Sequence, residues 1–247
     1  MYTRAPLQTA SGLIDRLHII NGPHADEFIA QLIQNPQSKV IGFLNQHGYN
    51  LAAESKEVLA HFSQIDYLLR DGVGIKWACR WFKQEPGINL NGTDFIPSLI
   101  KQANASDLPL DYFVFGTTSP WLEDGAQKLV QGRSVHTLNG FLDESEYLAY
   151  ITEHARPDAL SIVVLGMGMP KQEGLAPKLR QAAPGQTLVI CGGAIIDFQA
   201  NRFDRAPELF RRFNMEWLYR FIREPKRLFG RYIVGIPKFF YYLLAKR

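Results

Sequence analysis

A chain of 247 residues with 46% hydrophobic and 12% aromatic side chains buries a full core as one large domain, or as one domain with an appendage. This composition excludes disordered and fibrous classes. The formal net charge is +3, yet residues 1–200 carry 15 basic against 20 acidic side chains, and residues 201–247 carry 12 against 4. An acidic body argues against nucleic acid as a partner, whereas so basic a tail points to an anionic one, such as a lipid surface or a phosphorylated substrate.

At the N-terminus no basic segment precedes an apolar run, and no stretch reaches the ~18 uninterrupted apolar residues of a spanning helix. The expectation is a cytosolic protein that can dock on a membrane surface. Cys79 and Cys191 lie far apart in apolar surroundings with no CxxC, as buried free thiols do.

From about residue 40, short β-rich runs alternate with helical patterns. The runs are KVIGFLN, IDYLL, LDYFVFG, SVHTLNG, ALSIVVLG and QTLVICGG, and the stretches 47–61, 94–105, 120–131, 144–155 and 171–182 suit helices. Such alternation predicts an α/β, Rossmann-like fold, a mostly parallel sheet with helices on both faces, over residues 1–200. In an open parallel sheet, ligands bind beyond the carboxyl ends of the strands. The strand ends at Asn45, Asp71, Gly116, Asn139-Gly140, Gly166 and Gly192-Gly193 are therefore where chemistry is expected.

LLRDGVGIKWA, residues 68–78, lacks the third glycine of a dinucleotide fingerprint, because Trp77 stands there. Gly72 and Gly74 remain suited to a tight strand-to-helix turn near a ligand, and Asp71 on its own reads most simply as a helix cap. LGMGMPKQE, 165–173, ends a strand at Gly166, turns through Gly168 and starts a helix at Pro170. Lys171, Gln172 and Glu173 then project toward the crevice, and a lysine at a helix N-terminus suggests a bound anion. NLNGTDFIPSL offers Thr93 and Asp94 as a cap, and CGGAIIDFQANRFDRAP offers Gly192 and Asp197. There is no D-x-D, Walker lysine, G-x-S-x-G or H-E-x-x-H motif.

The tail places Leu209, Phe210, Phe213, Trp217, Leu218 and Phe221 at helical spacing with Arg211, Arg212, Arg220 and Arg223 interleaved, and Pro225 and Pro237 are expected to break it. A basic aromatic helix suits a membrane interface; the alternative is a helix packed on the sheet with a solvated basic face.

DGVGIKWA, NGTDFIPSL, VVLGMGMPKQE, CGGAIIDFQANRFDRAPE and MEWLYRFIREPKRLFGRYIVGIPKFF, in this order, resemble the WecG/TagA/CpsF glycosyltransferases over about residues 10–245. The resemblance implies inverting, metal-independent transfer of a sugar from a UDP-sugar to a polyprenyl-diphosphate-linked glycan acceptor, in bacterial surface or exopolysaccharide assembly. It implies no cofactor beyond the donor substrate. Asp71 matches the family's general base, Asn45 an asparagine beside the sugar, and Gln172 a glutamine of the donor pocket. Gly72, Thr93, Asp94, Gly166, Gly168, Lys171, Glu173, Gly192 and Asp197 fall in the matching motifs as substrate-binding candidates. Residues 201–247 match a C-terminal appendage that docks on the membrane and completes the site, with Arg202, Arg205, Arg212, Arg220 and Arg223 as candidates for diphosphate or lipid. Phe43 and Asn89 replace a threonine and an arginine common in the family, which removes polar groups from the expected sugar pocket and leaves the donor sugar open. The reading from a different class is a non-catalytic, membrane-tethered nucleotide-binding scaffold. The sequence is compatible with a homo-oligomer and does not set the oligomeric state.

Overall fold

In the computed structural model, residues 7–208, 210 and 215–245 are described, with the side chain of Pro23 set aside. Six strands form one sheet: β1 (Lys39–Leu44), β2 (Tyr67–Arg70), β3 (Leu110–Gly116), β4 (His136–Leu138), β5 (Leu160–Gly166) and β6 (Thr187–Cys191). Their order is β2-β1-β6-β5-β3-β4, and every pairing is parallel. The α/β expectation is met.

Period-2 alternation sends each strand's side chains to two covered faces. Val40 and Leu44 of β1, Phe113 and Phe115 of β3, Val163 and Leu165 of β5 and Val189 and Cys191 of β6 enter one core. Ile41 and Phe43, Tyr112 and Val114, Ile162 and Val164, and Leu188 and Ile190 enter the other. The first core is covered by α1 (Gly12–Asp15), α3 (Gln46–Glu54), α4 (Lys56–Ser63), α5 (Gly72–Trp81), α8 (Glu144–His154) and α9 (Lys171–Ala182). The second lies under α2 (Ala25–Gln34), α6 (Gly92–Asn104), α7 (Trp121–Leu129) and α10 (Ile195–Gln199). Cys79 and Cys191 are free and buried, as expected.

Several local expectations are corrected. The pattern over 47–61 is two helices, because the Ser55 hydroxyl accepts from the Val58 amide at 3.3 Å and caps α4 afresh. Asn91, rather than Thr93 or Asp94, caps α6, accepting from the Asp94 amide at 2.9 Å. Pro170 occupies the cap position, one residue before α9 begins.

After β6 and α10 the chain continues into α11 (Glu216–Arg223), α12 (Pro225–Phe229), a π-helical turn (Gly230–Val234) and α13 (Gly235–Ala245). Pro225 starts α12, but Pro237 does not break α13: it is the third residue of that helix, directly after the π-helical turn. The α13 helix packs on α3, with the Phe239 ring edge-on to Tyr49 at 5.2 Å between centroids and the Asn50 amide donating to the Gly235 carbonyl at 2.7 Å. Among the described residues, no helix is long and apolar enough to cross a membrane.

Candidate active site

A cleft of 1180 Å³ opens beyond the carboxyl ends of the strands. Its walls include Asn45 after β1, Asp71 after β2, Thr117 after β3, Gly166 to Met169 after β5 and Gly192 to Ala194 after β6. Glycines let these ends converge: Gly116 stands opposite Gly166, and a Cβ on Gly116 would meet the Gly166 carbonyl oxygen at 2.5 Å.

Asp71 sits at the N-cap position of α5 with extended backbone, but its carboxylate makes no cap hydrogen bond. The carboxylate instead accepts from Asn45 Nδ2 at 3.4 Å. Asn45 is itself held as the cap of α3, its Oδ1 accepting from the Gly48 amide at 3.0 Å. Burial pushes the Asp71 carboxyl above its ordinary range, while the Asn45 hydrogen bond and the fields of Arg220, Arg231 and Arg70 pull it part of the way back. The next residue, Gly72, has φ +85°, with nothing within 4 Å of where a Cβ would stand. This left-handed turn keeps the backbone open to the cleft.

Arg70, 6% exposed, holds that turn from behind. Its guanidinium donates to the carbonyls of Pro86 at 2.8 Å, Gly72 at 3.1 Å and Gly87 at 3.2 Å. Asn89 Oδ1 accepts from the Gly72 amide at 2.6 Å. Asn89 thus supports the Asp71 loop, and Phe43 lines the cleft.

Across the cleft, Gln172 is 1% exposed and links two neighbours. Its Nε2 donates to Glu173 Oε1 at 2.8 Å, and its Oε1 accepts from the Gly193 amide at 3.0 Å. Glu173 is fully buried, and burial pushes its carboxyl up to about 7. Thr117, Asp197 and Arg202 form a triangle: Asp197 Oδ1 accepts from Thr117 Oγ1 at 2.9 Å and from Arg202 Nη1 at 3.0 Å. The Arg202 guanidinium also stacks on Trp121 at 4.0 Å.

Of the residues singled out in the sequence, Asn45, Asp71, Gly72, Thr93, Asp94, Gly166, Gly168, Gln172, Gly192, Asp197, Arg202 and Arg220 line the cleft. Lys171 does not: its ammonium donates to the carbonyls of Gly140 at 3.0 Å and Leu142 at 2.9 Å and lies over Tyr147. Glu173 is behind the wall rather than in it. Arg205, paired with the cleft-lining Asp94, and Arg223, paired with Asp204, are not themselves in the lining, and Arg212 lies outside the described residues.

Sequence reasoning passed over His47, Arg70, Arg227 and Arg231. His47 and the two tail arginines line the cleft; burial, then Arg231, pushes the His47 imidazole down to about 4, so it is neutral near pH 7. The available signal for Arg70 was a charge closing the apolar run LLR. Among the described residues, no group of three His, Cys, Asp or Glu side chains could hold a metal ion.

A profile of the glycosyl transferase WecG/TagA/CpsF family matches residues 15–247. The chain belongs to that family. It is similar to proteins named N-acetylglucosaminyldiphosphoundecaprenol N-acetyl-β-D-mannosaminyltransferase from Staphylococcus aureus strains MRSA252, MW2 and NCTC 8325. Each is 29% identical over 220 residues, covering 87% of this chain and 83% of the relative. The protein is therefore a glycosyltransferase.

Proposed function

We propose that the protein transfers a sugar of the N-acetylmannosamine, hexose or uronic acid type from a UDP-sugar to a polyprenyl-diphosphate-linked acceptor, with inversion and without a metal ion. The observation that carries the reading is Asp71: a carboxylate at a helix N-cap position that leaves the cap unmade and faces the cleft. The relatives' printed name, with its diphosphoundecaprenol acceptor, supports the acceptor class.

In a single displacement, an acceptor hydroxyl oxygen attacks the anomeric carbon while the bond from that carbon to the diphosphate oxygen breaks. UDP leaves with the electron pair from the opposite face. A neutral hydroxyl is a poor nucleophile, so Asp71 takes its proton as the new bond forms. Asn45, bonded to Oδ2, fixes the carboxylate's orientation. Charge gathering on the diphosphate would meet Arg202 and Arg220 and the open turns at 166–169 and 192–194. The absence of D-x-D supports metal independence, and retained turnover in EDTA would test it.

The deciding experiment offers a panel of UDP-sugars with lipid-linked acceptors and follows UDP release and product mass. Asp71→Asn, nearly isosteric but a poor base, is expected to lose at least about 10²-fold in turnover while still binding UDP. Near-wild-type turnover in that variant would remove Asp71 from the role. UDP binding without release from any donor would favour the scaffold reading. Docking of residues 201–247 on an anionic membrane from the cytoplasmic side belongs to the same proposal, supported by their excess of basic side chains.

A further inference from the structure

The helix that follows Asp71 carries an exposed stripe that meets the cleft only at Trp77. Trp77 and Trp81, four residues apart on α5, are 53% and 43% exposed. Lys76 and Arg80 run alongside at the same spacing, Lys83 follows, and residues 72–83 contain no acidic side chain. This is a cationic element in a body whose charge otherwise leans acidic. Exposed tryptophans are uncommon on a surface that faces only water.

The stripe is continuous with the last helix. Trp77 and Phe240 of α13 are in ring contact at 5.7 Å, and beyond Phe240 stand Tyr241, 65% exposed, and Leu244, 59% exposed. Trp77, Phe240 and Ile236 also line the cleft that holds Asp71, so the cleft reaches this aromatic face. Neither helix is long and apolar enough to span a bilayer. Indole and phenol rings flanked by lysine and arginine are the side chains that settle at headgroup depth, with their cations on anionic lipid.

We propose that α5 and α13 together form one bilayer-contacting face, with Trp77 and Trp81 of the catalytic body entering the headgroup region of an anionic membrane beside Phe240, Tyr241 and Leu244. Contact with lipid is then not confined to residues 201–247, and the cleft opens toward the bilayer beside the proposed base. The orientation deepens the proposed function, since an acceptor whose polyprenyl chain stays in the bilayer would reach Asp71 by the shortest route. Binding to vesicles is measured without turnover, so the two ideas fail separately.

The test uses the full chain with phosphatidylglycerol-rich vesicles whose lipids are brominated near the top of the acyl chains. Indole emission of the wild type is expected to be quenched. In Trp77→Phe/Trp81→Phe, about half or more of that quenching should vanish although Trp121 and Trp217 remain. A second variant, Arg80→Glu/Trp81→Glu, is expected to float with these vesicles about tenfold less than wild type, with unchanged circular dichroism and melting temperature. Undiminished quenching in the double phenylalanine variant, wild-type flotation of the glutamate variant, or no vesicle binding by the wild type would overturn the proposal. Loss of UDP release with every donor, alongside intact α5-dependent vesicle binding, would count against the glycosyl-transfer reading alone.

Discussion

Glu173 and Gln172 are joined side chain to side chain inside the wall of the cleft, Nε2 to Oε1 at 2.8 Å, with both residues almost wholly buried. The bond fixes which way the Gln172 amide points. Its oxygen is left to receive the Gly193 amide, and Gly193, at φ +60°, has the left-handed backbone that this loop needs.

Glu173→Gln keeps an acceptor for Gln172 and is expected to stay within about threefold of wild type in kcat/KM; Glu173→Ala removes it and should raise the donor KM about tenfold. Stability gives a second readout. The folded-state pKa, about 7, lies above the ordinary carboxylate value of 4.5, so the folded chain keeps a proton that the unfolded chain releases. This contribution is fully present below pH 4.5, declines as pH rises and is gone above about 7. Its whole span is at most about 3 kcal/mol. Urea unfolding from pH 4.5 to 8 should show the decline in wild type and a flatter profile in Glu173→Gln.

As the proposed base, Asp71 must be unprotonated to act, so its raised pKa places an acid limb in the pH profile above the ordinary carboxylate value. Arg231 and Arg220 both oppose that rise. Arg231→Gln is therefore expected to move the limb to higher pH, read from kcat/KM against pH with one donor. A limb that stays put would separate Arg231 from Asp71.

Arg70 bridges three backbone carbonyls from a buried position. Arg70→Met fills similar space but leaves these acceptors without their charged donor, and should destabilise by about 2–4 kcal/mol. Thermal melting would register this as a drop of several degrees, with lost turnover because the Asp71 turn loosens.

Phe239→Ala opens a cavity against Tyr49 and is expected to cost about 3–5 kcal/mol. The loss should appear in the main unfolding transition. If only a minor early transition shifts, α13 unfolds apart from the body.

The six strands and most flanking helices were legible because buried parallel strands leave apolar runs with glycine at their ends, and the sequence shows both. The split at Ser55 was not, because one polar residue inside an amphipathic pattern reads as surface until its hydroxyl is seen capping a new helix. Lys171 was misplaced for a related reason. Its position in the first turn was read correctly, but the carbonyls of Gly140 and Leu142 that turn it aside are about thirty residues away in sequence. Asp71 was legible as a residue but not as a carboxylate turned from its cap to Asn45: spacing favoured a cap, and only the fold leaves the cap unmade. Arg231 carried no motif, and it gains meaning from the fold that brings a tail arginine to the field of a residue 160 positions earlier.

The helix α3 has a partner at each end. At its first residue's edge Asn45 holds Asp71, and further along Asn50 binds the Gly235 carbonyl while Glu54 accepts from Lys238 at 2.9 Å and from Tyr242 at 3.0 Å. A nine-residue helix is a stiff strut, roughly 13 Å long. It joins the carboxylate to α13 through a rigid spacer. Whatever surface α13 rests on, Asp71 stands at a set height above it, and a hydroxyl held at another height would go unreacted.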